Sequence, residues 1–263
     1  MNVWGEEMNK NINDNALPDY NSYSMSWEKK ALYFLKGAAF IYAFAFIFYR
    51  SHIFCVLLCP LAFLYPRIET RNIIEKRKYE LNIQFRDMLY SLSSSLSVGK
   101  SLELAFKDIL NDLELLYPYP DTPIIREVEY IVRKIDMNET VEEALCDFAG
   151  RVHLEDVDNF VDVLRICKRT GGNIVEVLKN TANIINDKIE IKHEINTLLA
   201  QRKLEQKVLN LLPPVMVLII SASSYEYIRP VFTTIPGRLV MTIAVLLLTA
   251  AYFISKKIMD IKV

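Results

Sequence analysis

Four apolar runs constrain this chain more than any other feature, two near each end, at residues 31–49, 53–65, 208–225 and 239–254. A stretch rich in Lys, Arg, Asp and Glu separates the two pairs. The first run is apolar apart from Lys36, whose long stem lets its charge reach an interface. At about 1.5 Å rise per residue the run covers most of a hydrocarbon core. The second run is short and contains Pro60. Joined to the first by the tight Arg50-Ser51-His52 connection, it reads as the return arm of a helical hairpin. The third carries Asn210 and the pair Pro213-Pro214, and a kink is expected there, because proline removes a backbone donor. Membrane helices tolerate such kinks. The fourth run is uncharged and ends before Lys256-Lys257.

Basic residues beside the spans set direction. Lys29 and Lys30 precede the first run; Arg67, Arg71, Lys76, Arg77 and Lys78 follow the second. Arg202, Lys203 and Lys207 precede the third, and Lys256, Lys257 and Lys262 follow the fourth. The two opposite connections carry only Arg50, then Arg229 and Arg238. Four crossings place both termini and the middle on one side, and the charges assign that side to the cytoplasm of a cell (inner or plasma) membrane. Apolar runs this short also occur as core helices of soluble proteins, but the consistent basic flanks favour spans. The expected layout is a polar, loosely ordered tail at 1–28, a transmembrane hairpin at 29–66 and a cytoplasmic helical domain at 67–207. A transmembrane pair at 208–255 and a short cytoplasmic tail at 256–263 complete it. The polar, mixed-charge start lacks the basic-then-apolar order of a secretory signal.

The middle is helical by periodicity. Leu81, Phe85, Met88, Leu89, Leu92 and Leu96 form one stripe of a 3.6-residue helix, which Gly99 ends. Leu102, Ala105, Phe106, Ile109, Leu110 and Leu113 repeat the stripe before a loop marked by Pro118, Pro120 and Pro123. Thr122-Pro123 predicts a capped helix start with proline first, followed by Ile124, Val128, Ile131, Val132 and Ile135. Thr140 and Glu143 are spaced as a capping box, with Val141, Ala144, Leu145 and Phe148 facing inward. Val157, Phe160, Val161, Leu164 and Cys167 stripe a fifth helix, which Gly171-Gly172 ends. A sixth starts at Asn173, with Ile174, Val177, Leu178, Thr181, Ile184 and Ile185 leading into Ile191, Ile195 and Leu198, and runs toward the third span. No segment keeps a strand's alternation. The fold class is all-α: a six-helix cytoplasmic bundle between two transmembrane helix pairs.

The residues single out no catalytic centre, no cofactor site and no metal site. Gly171-Gly172 lacks the Lys-Ser/Thr of a phosphate loop, so no ATP hydrolysis is expected from the chain itself. His193-Glu194 lacks the second histidine of a metalloprotease helix, since position 197 is Thr197. His52, His153 and His193 are scattered. Asp108, Asp112 and Glu114, like Asp156 and Asp158, read as solvated helix faces. Cys55, Cys59, Cys146 and Cys167 have no zinc spacing and read as buried thiols. Gly99, Gly171 and Gly172 read as helix ends, and only exposure speaks for a contact role of Lys168 or Glu176. The net charge of −1 gives no field for nucleic acid. Span centres hold nothing more polar than Asn210, Ser and Thr, which argues against an ion pathway.

The segment Arg165-Ile166-Cys167-Lys168-Arg169-Thr170-Gly171-Gly172-Asn173-Ile174-Val175-Glu176-Val177-Leu178 resembles the type II secretion system F domain family, in the form found in Tad (tight adherence, Flp-type) pilus assembly. Phe85-Arg86-Asp87-Met88-Leu89, the stretch from Leu96 to Phe106, and Leu211-Leu212-Pro213-Pro214 are similar to it as well. The likeness spans roughly residues 30–260. One departure is Asp136-Met137-Asn138-Glu139-Thr140, where the family usually has a glycine; Asn138 tolerates a left-handed backbone. The resemblance implies a membrane platform protein that is not an enzyme. Its implied partners are a cytosolic secretion or assembly ATPase, pilin or pseudopilin subunits, the lipid bilayer, and a second copy of itself or a paralogue. A membrane-anchored enzyme acting on lipid or peptide, and a small transporter, are the alternative readings.

Overall fold

The protein's structure, a computed structural model, describes residues 19–21, 25–119 and 122–259, and these are helical without a strand. In chain order the helices are α1 (Trp27–Tyr49), α2 (His52–Leu58), a 3-10 helix (Cys59–Phe63), α3 (Leu64–Ser97), α4 (Leu102–Leu116) and α5 (Pro123–Asp136). There follow α6 (Val141–Val152), α7 (Glu155–Thr170), α8 (Ile174–Ser223), α9 (Tyr225–Thr233) and α10 (Ile235–Met259). Most of the tail expected at 1–28, and the end of the one expected at 256–263 with Lys262, lie outside the described residues.

The chain divides into two compact units. One holds Asn72–Glu190 with the residues ahead of Met25, and the other holds Met25–Arg71 with Ile191–Val263. The residues just before the third apolar run therefore group with the second unit rather than with the bundle.

In the first unit the stripes bury as their period requires. Leu81, Phe85, Met88, Leu89 and Leu92 are fully buried, as are Ala105, Phe106, Ile109 and Leu113 of α4. Ile124, Val128 and Ile131 of α5 and Ala144, Leu145 and Phe148 of α6 join them. Phe85 sits at the centre, 5.6 Å from the Phe160 ring in an edge arrangement and 6.0 Å from Phe148, a geometry that suits the quadrupoles of aromatic rings. Of α8, Leu178, Ala182 and Ile185 are fully buried. Other members of that stripe are exposed: Ile184 is 55% exposed, Ile191 47% and Leu198 69%.

The helix ends follow local chemistry. Gly99 and Gly171 take φ of +90° and +72°, and Asn138 takes +64° at the turn where a glycine was missing. The Gly172 N–H donates to the Cys167 carbonyl at 2.8 Å, closing α7 in a Schellman-type turn. The capping box is present: the Glu143 N–H donates to the Thr140 hydroxyl, and the Thr140 N–H donates to the Glu143 carboxylate. Pro123 does open α5, but Thr122 does not cap it. Its hydroxyl donates to the Tyr119 carbonyl at 2.7 Å, and Gln84 of α3 accepts the Ile124 N–H instead, at 3.3 Å. Of the four thiols, all free, Cys55 and Cys167 are buried, whereas Cys59 and Cys146 are half-buried.

In the second unit α1, α8 and α10 contain stretches long and apolar enough to cross a membrane. Residues 53–65 do not form one helix of that kind: α2 is 7 residues long and yields at Pro60 to the 3-10 segment. That arm still runs back along α1, with Phe34 and Phe63 rings 4.6 Å apart and Tyr33 and Tyr65 rings 6.2 Å apart. The helix α8 passes through Pro213-Pro214 without ending, and the connection expected after it contains a further helix, α9. Ile228 and Phe232 of α9 pack with Phe48 and Met241. The turn from α9 into α10 has no slack, because a Cβ on Gly237 would lie 2.7 Å from backbone atoms of Pro230 and Val231. Gly237→Ala is therefore expected to lower the melting temperature of the detergent-solubilised protein clearly. Gly150→Ala, where a Cβ meets nothing within 4 Å, serves as the neutral control.

Candidate functional site: an anchored bundle with a polar seam

The stripe of α5 contains one residue that does not belong in an apolar core. Glu127 stands three residues after Ile124 on the inward face and is fully buried. An ionised carboxylate there needs partners, because desolvating it alone costs far more than folding supplies. Arg151, near the end of α6, supplies a two-pronged pair: its Nε donates to one carboxylate oxygen at 3.3 Å and its Nη2 to the other. The guanidinium also lies over the Tyr130 ring, 4.8 Å from the centroid. The third partner is Tyr20, 5% exposed, whose side chain bonds to Glu127. Burial pushes the Glu127 carboxyl above the ordinary carboxylate range, with Arg151 and Tyr20 opposing it. Burial, then the Glu127 charge, push the Tyr20 phenol well up, so it stays a donor.

The backbone completes this anchor. The last carbonyls of a helix have no partner within it, and two near the end of α6 find theirs elsewhere. The Tyr20 N–H donates to the Arg151 carbonyl at 3.2 Å. Lys78 Nζ donates to the His153 carbonyl at 3.2 Å and to Asn21 Oδ1 at 2.9 Å. Thus Tyr20 and Asn21, which lie in the segment expected to be loosely ordered, are fixed to the bundle by side chains and backbone alike.

A second polar feature joins α3 and α8. Tyr90 donates to Asn183 at 2.9 Å, Arg86 to Asn186 at 3.2 Å, and Asn82 to Asp156 at 3.0 Å, with Lys188 paired to the same Asp156. Asn82, Arg86 and Tyr90 are spaced by four, one edge of α3. Asp87 accepts from Arg86 and from the Tyr117 hydroxyl, and burial followed by the Asp87 contact raises the Tyr117 phenol. The two long helices therefore meet in the bundle through polar side chains as well as the apolar core.

Among the described residues no group of His, Cys, Asp and Glu is disposed to hold a metal. Lys168 pairs with Glu142 at 2.8 Å, and the Glu176 N–H serves the Asn173 cap. Asp108 pairs with Lys100. Glu127 carried a signal in the sequence, being a carboxylate on an apolar stripe; Tyr20 carried almost none.

Removing one member of the buried pair strands the other, which costs about 3–5 kcal/mol. Glu127→Ala is expected to destabilise the bundle by about that much, and Tyr20→Phe by about 1.5–3 kcal/mol for a hydrogen bond to a charged group, both read by chemical denaturation. The capping box gives a pH signature. The Thr140 hydroxyl and N–H hold Glu143 below its ordinary value, so its contribution is present above the unfolded carboxylate range and fades as pH falls through the lower folded value. The melting-temperature gap between the parent and Glu143→Gln is expected to close on titration from about pH 7 to about pH 3.

Comparison with known proteins agrees with this architecture. The family model for type II secretion system (T2SS), protein F, matches residues 88–222. No curated protein and no solved structure matches the chain. The matched stretch runs from α3 through every helix of the bundle to the end of α8 and takes in half of the sequence. The chain belongs to the type II secretion system protein F family.

Proposed function

We propose that this chain is the membrane platform of a Tad-type (Flp) pilus or type II secretion assembly machine. It sits in the inner or cell membrane beneath the growing filament. The observation that carries the reading is the family match over residues 88–222, set in a chain whose other unit holds helices fit to span a bilayer. In this reading the bundle receives motion from a cytosolic assembly ATPase, the spans meet pilin or pseudopilin helices, and energy comes from the partner rather than from a site in this chain.

Sidedness is part of the proposal, and Tyr20 supports it. A residue ahead of α1 that is buried in the bundle core must lie on the same side of the membrane as the bundle. If α1 crosses, the chain has to return before Asn72, and only the arm from His52 to the start of α3 is available. Its contacts with α1 at Phe34, Gly37 and Tyr33 fit a return of that kind. The bundle and both termini then face the cytoplasm, and α9 lies on the far side.

Two measurements check these statements. In a full-length chain with Cys55, Cys59, Cys146 and Cys167 replaced by Ser, Ser224→Cys is expected to react with a membrane-impermeant thiol reagent in intact cells. Lys179→Cys should react only after permeabilisation, and the opposite pattern rejects the topology. Solubilised full-length protein is expected to retain the cognate assembly ATPase in a pull-down, and clean deletion to abolish surface filaments or secretion. Unchanged filament or secretion output after deletion would falsify the platform role.

A further inference from the structure

The first apolar run holds one charge, Lys36, and that charge lies inside α1 rather than at its end. Its neighbours one turn away on the same face, Leu32 and Phe40, are 52% and 74% exposed. Such a face suits acyl chains, but a bare ammonium among them is costly. Among the described residues Lys36 pairs with no carboxylate, and its Nζ lies 5.8 Å from the centroid of the Tyr33 ring. That ring is one turn nearer the start of α1, the direction in which helical side chains lean.

The return arm marks the same depth independently. A Cβ on Gly37 would lie 3.2 Å from the Tyr65 Cβ and 3.6 Å from that of Ala62, so Lys36 is level with the end of that arm. Tyr65 is exposed, an aromatic of the kind that sits at the headgroup boundary, and Arg67 follows it. From that level, residues 37–49 make about 20 Å of α-helix. The α2 helix with its 3-10 helix makes about 20 Å as well. A hydrocarbon core is about 30 Å thick, so both arms fall short of it by a similar amount.

We propose that Lys36 binds the phosphate of a lipid headgroup in the cytoplasmic leaflet, and that the polar surface of the bilayer dips around the first hairpin to meet it. Measured along α1, the dip is about 9 Å below Lys30. Phosphate carries the charge that Lys36 needs, and it is the anion closest to a face covered by acyl chains. Local thinning is also how a bilayer answers an apolar stretch that is too short for it, and both arms are short at the same level.

The inference rests on α1 crossing the membrane, as proposed above, and not on the platform role. The test uses the full-length chain with its four native cysteines replaced by Ser, purified and reconstituted in vesicles of phosphatidylcholine and phosphatidylglycerol, with native membranes run in parallel. N-ethylmaleimide enters bilayers but needs a hydrated, ionised thiol. Leu35→Cys is expected to react at least about tenfold faster than Ala39→Cys, one turn deeper in α1. Adding Lys36→Leu should slow Leu35→Cys to the rate of Ala39→Cys, and adding Lys36→Arg should leave it fast. The first comparison keeps Lys36, so it stands even where a variant misfolds. Two equally slow rates there put the surface at Lys30 and overturn the inference alone; two equally fast rates put α1 in water and overturn the membrane reading with it. Leu35→Cys that stays fast with Lys36→Leu, or turns slow with Lys36→Arg, overturns the role of the charge. A fast rate confined to native membranes makes a partner's carboxylate the counter-charge and overturns the proposal too.

Discussion

A carboxylate with no water around it governs the bundle. Glu127 is tolerated only because Arg151 and Tyr20 meet it together, and those two come from opposite ends of the relevant sequence: one from the end of α6, the other from ahead of the first span. Replacing such a pair by well-packed apolar residues is often neutral or stabilising in proteins generally, so stability is a weak reason for its presence here. Specificity is the better account. An apolar socket would accept many side chains, whereas this one holds a carboxylate that bonds to both the Arg151 guanidinium and the Tyr20 side chain. The anchor thereby selects which part of a polar segment docks, and on which helix.

The rest of the architecture is built from ordinary helix physics with different solvents in the two units. In the bundle, apolar stripes face one another and polar residues fill the joint between α3 and α8. In the other unit most large apolar side chains point outward, Leu246 and Leu247 of α10 among them, as lipid-facing positions do. There the close contacts fall to small residues, Gly37 against Tyr65 and Gly237 against Val231, because lipid offers helices no hydrophobic reason to associate and close backbone approach has to supply it.

Much of this was legible in the sequence because the relevant signals are local. The stripes from Leu81 to Cys167, the Thr140–Glu143 box, the glycine ends and the left-handed Asn138 each depend on residues within a turn or two of one another. What was not legible depends on distance. Thr122 looks like a cap, yet Gln84 from another helix does that work. Ile191 and Leu198 fall on the side of α8 opposite Leu178, Ala182 and Ile185, and an apolar stripe alone does not say whether anything covers it. Residues 225–233 hold Ile228 and Phe232 on one face at a length too short for a span, and read as a plain connection. Tyr20 is the extreme case, one aromatic residue in a polar run whose partners lie far along the chain.

That last separation orders events during synthesis. Tyr20 leaves the ribosome early, but its socket does not exist until α5 and α6 have both emerged, by which time α1 and the arm that follows it have long been available to the insertion machinery. Tyr20 must therefore wait for its partners while more than a hundred further residues are made. The anchor cannot take part in the earliest steps of folding. It can only close on a bundle whose α5 and α6 are already made, which makes it a late lock on the fold rather than its nucleus.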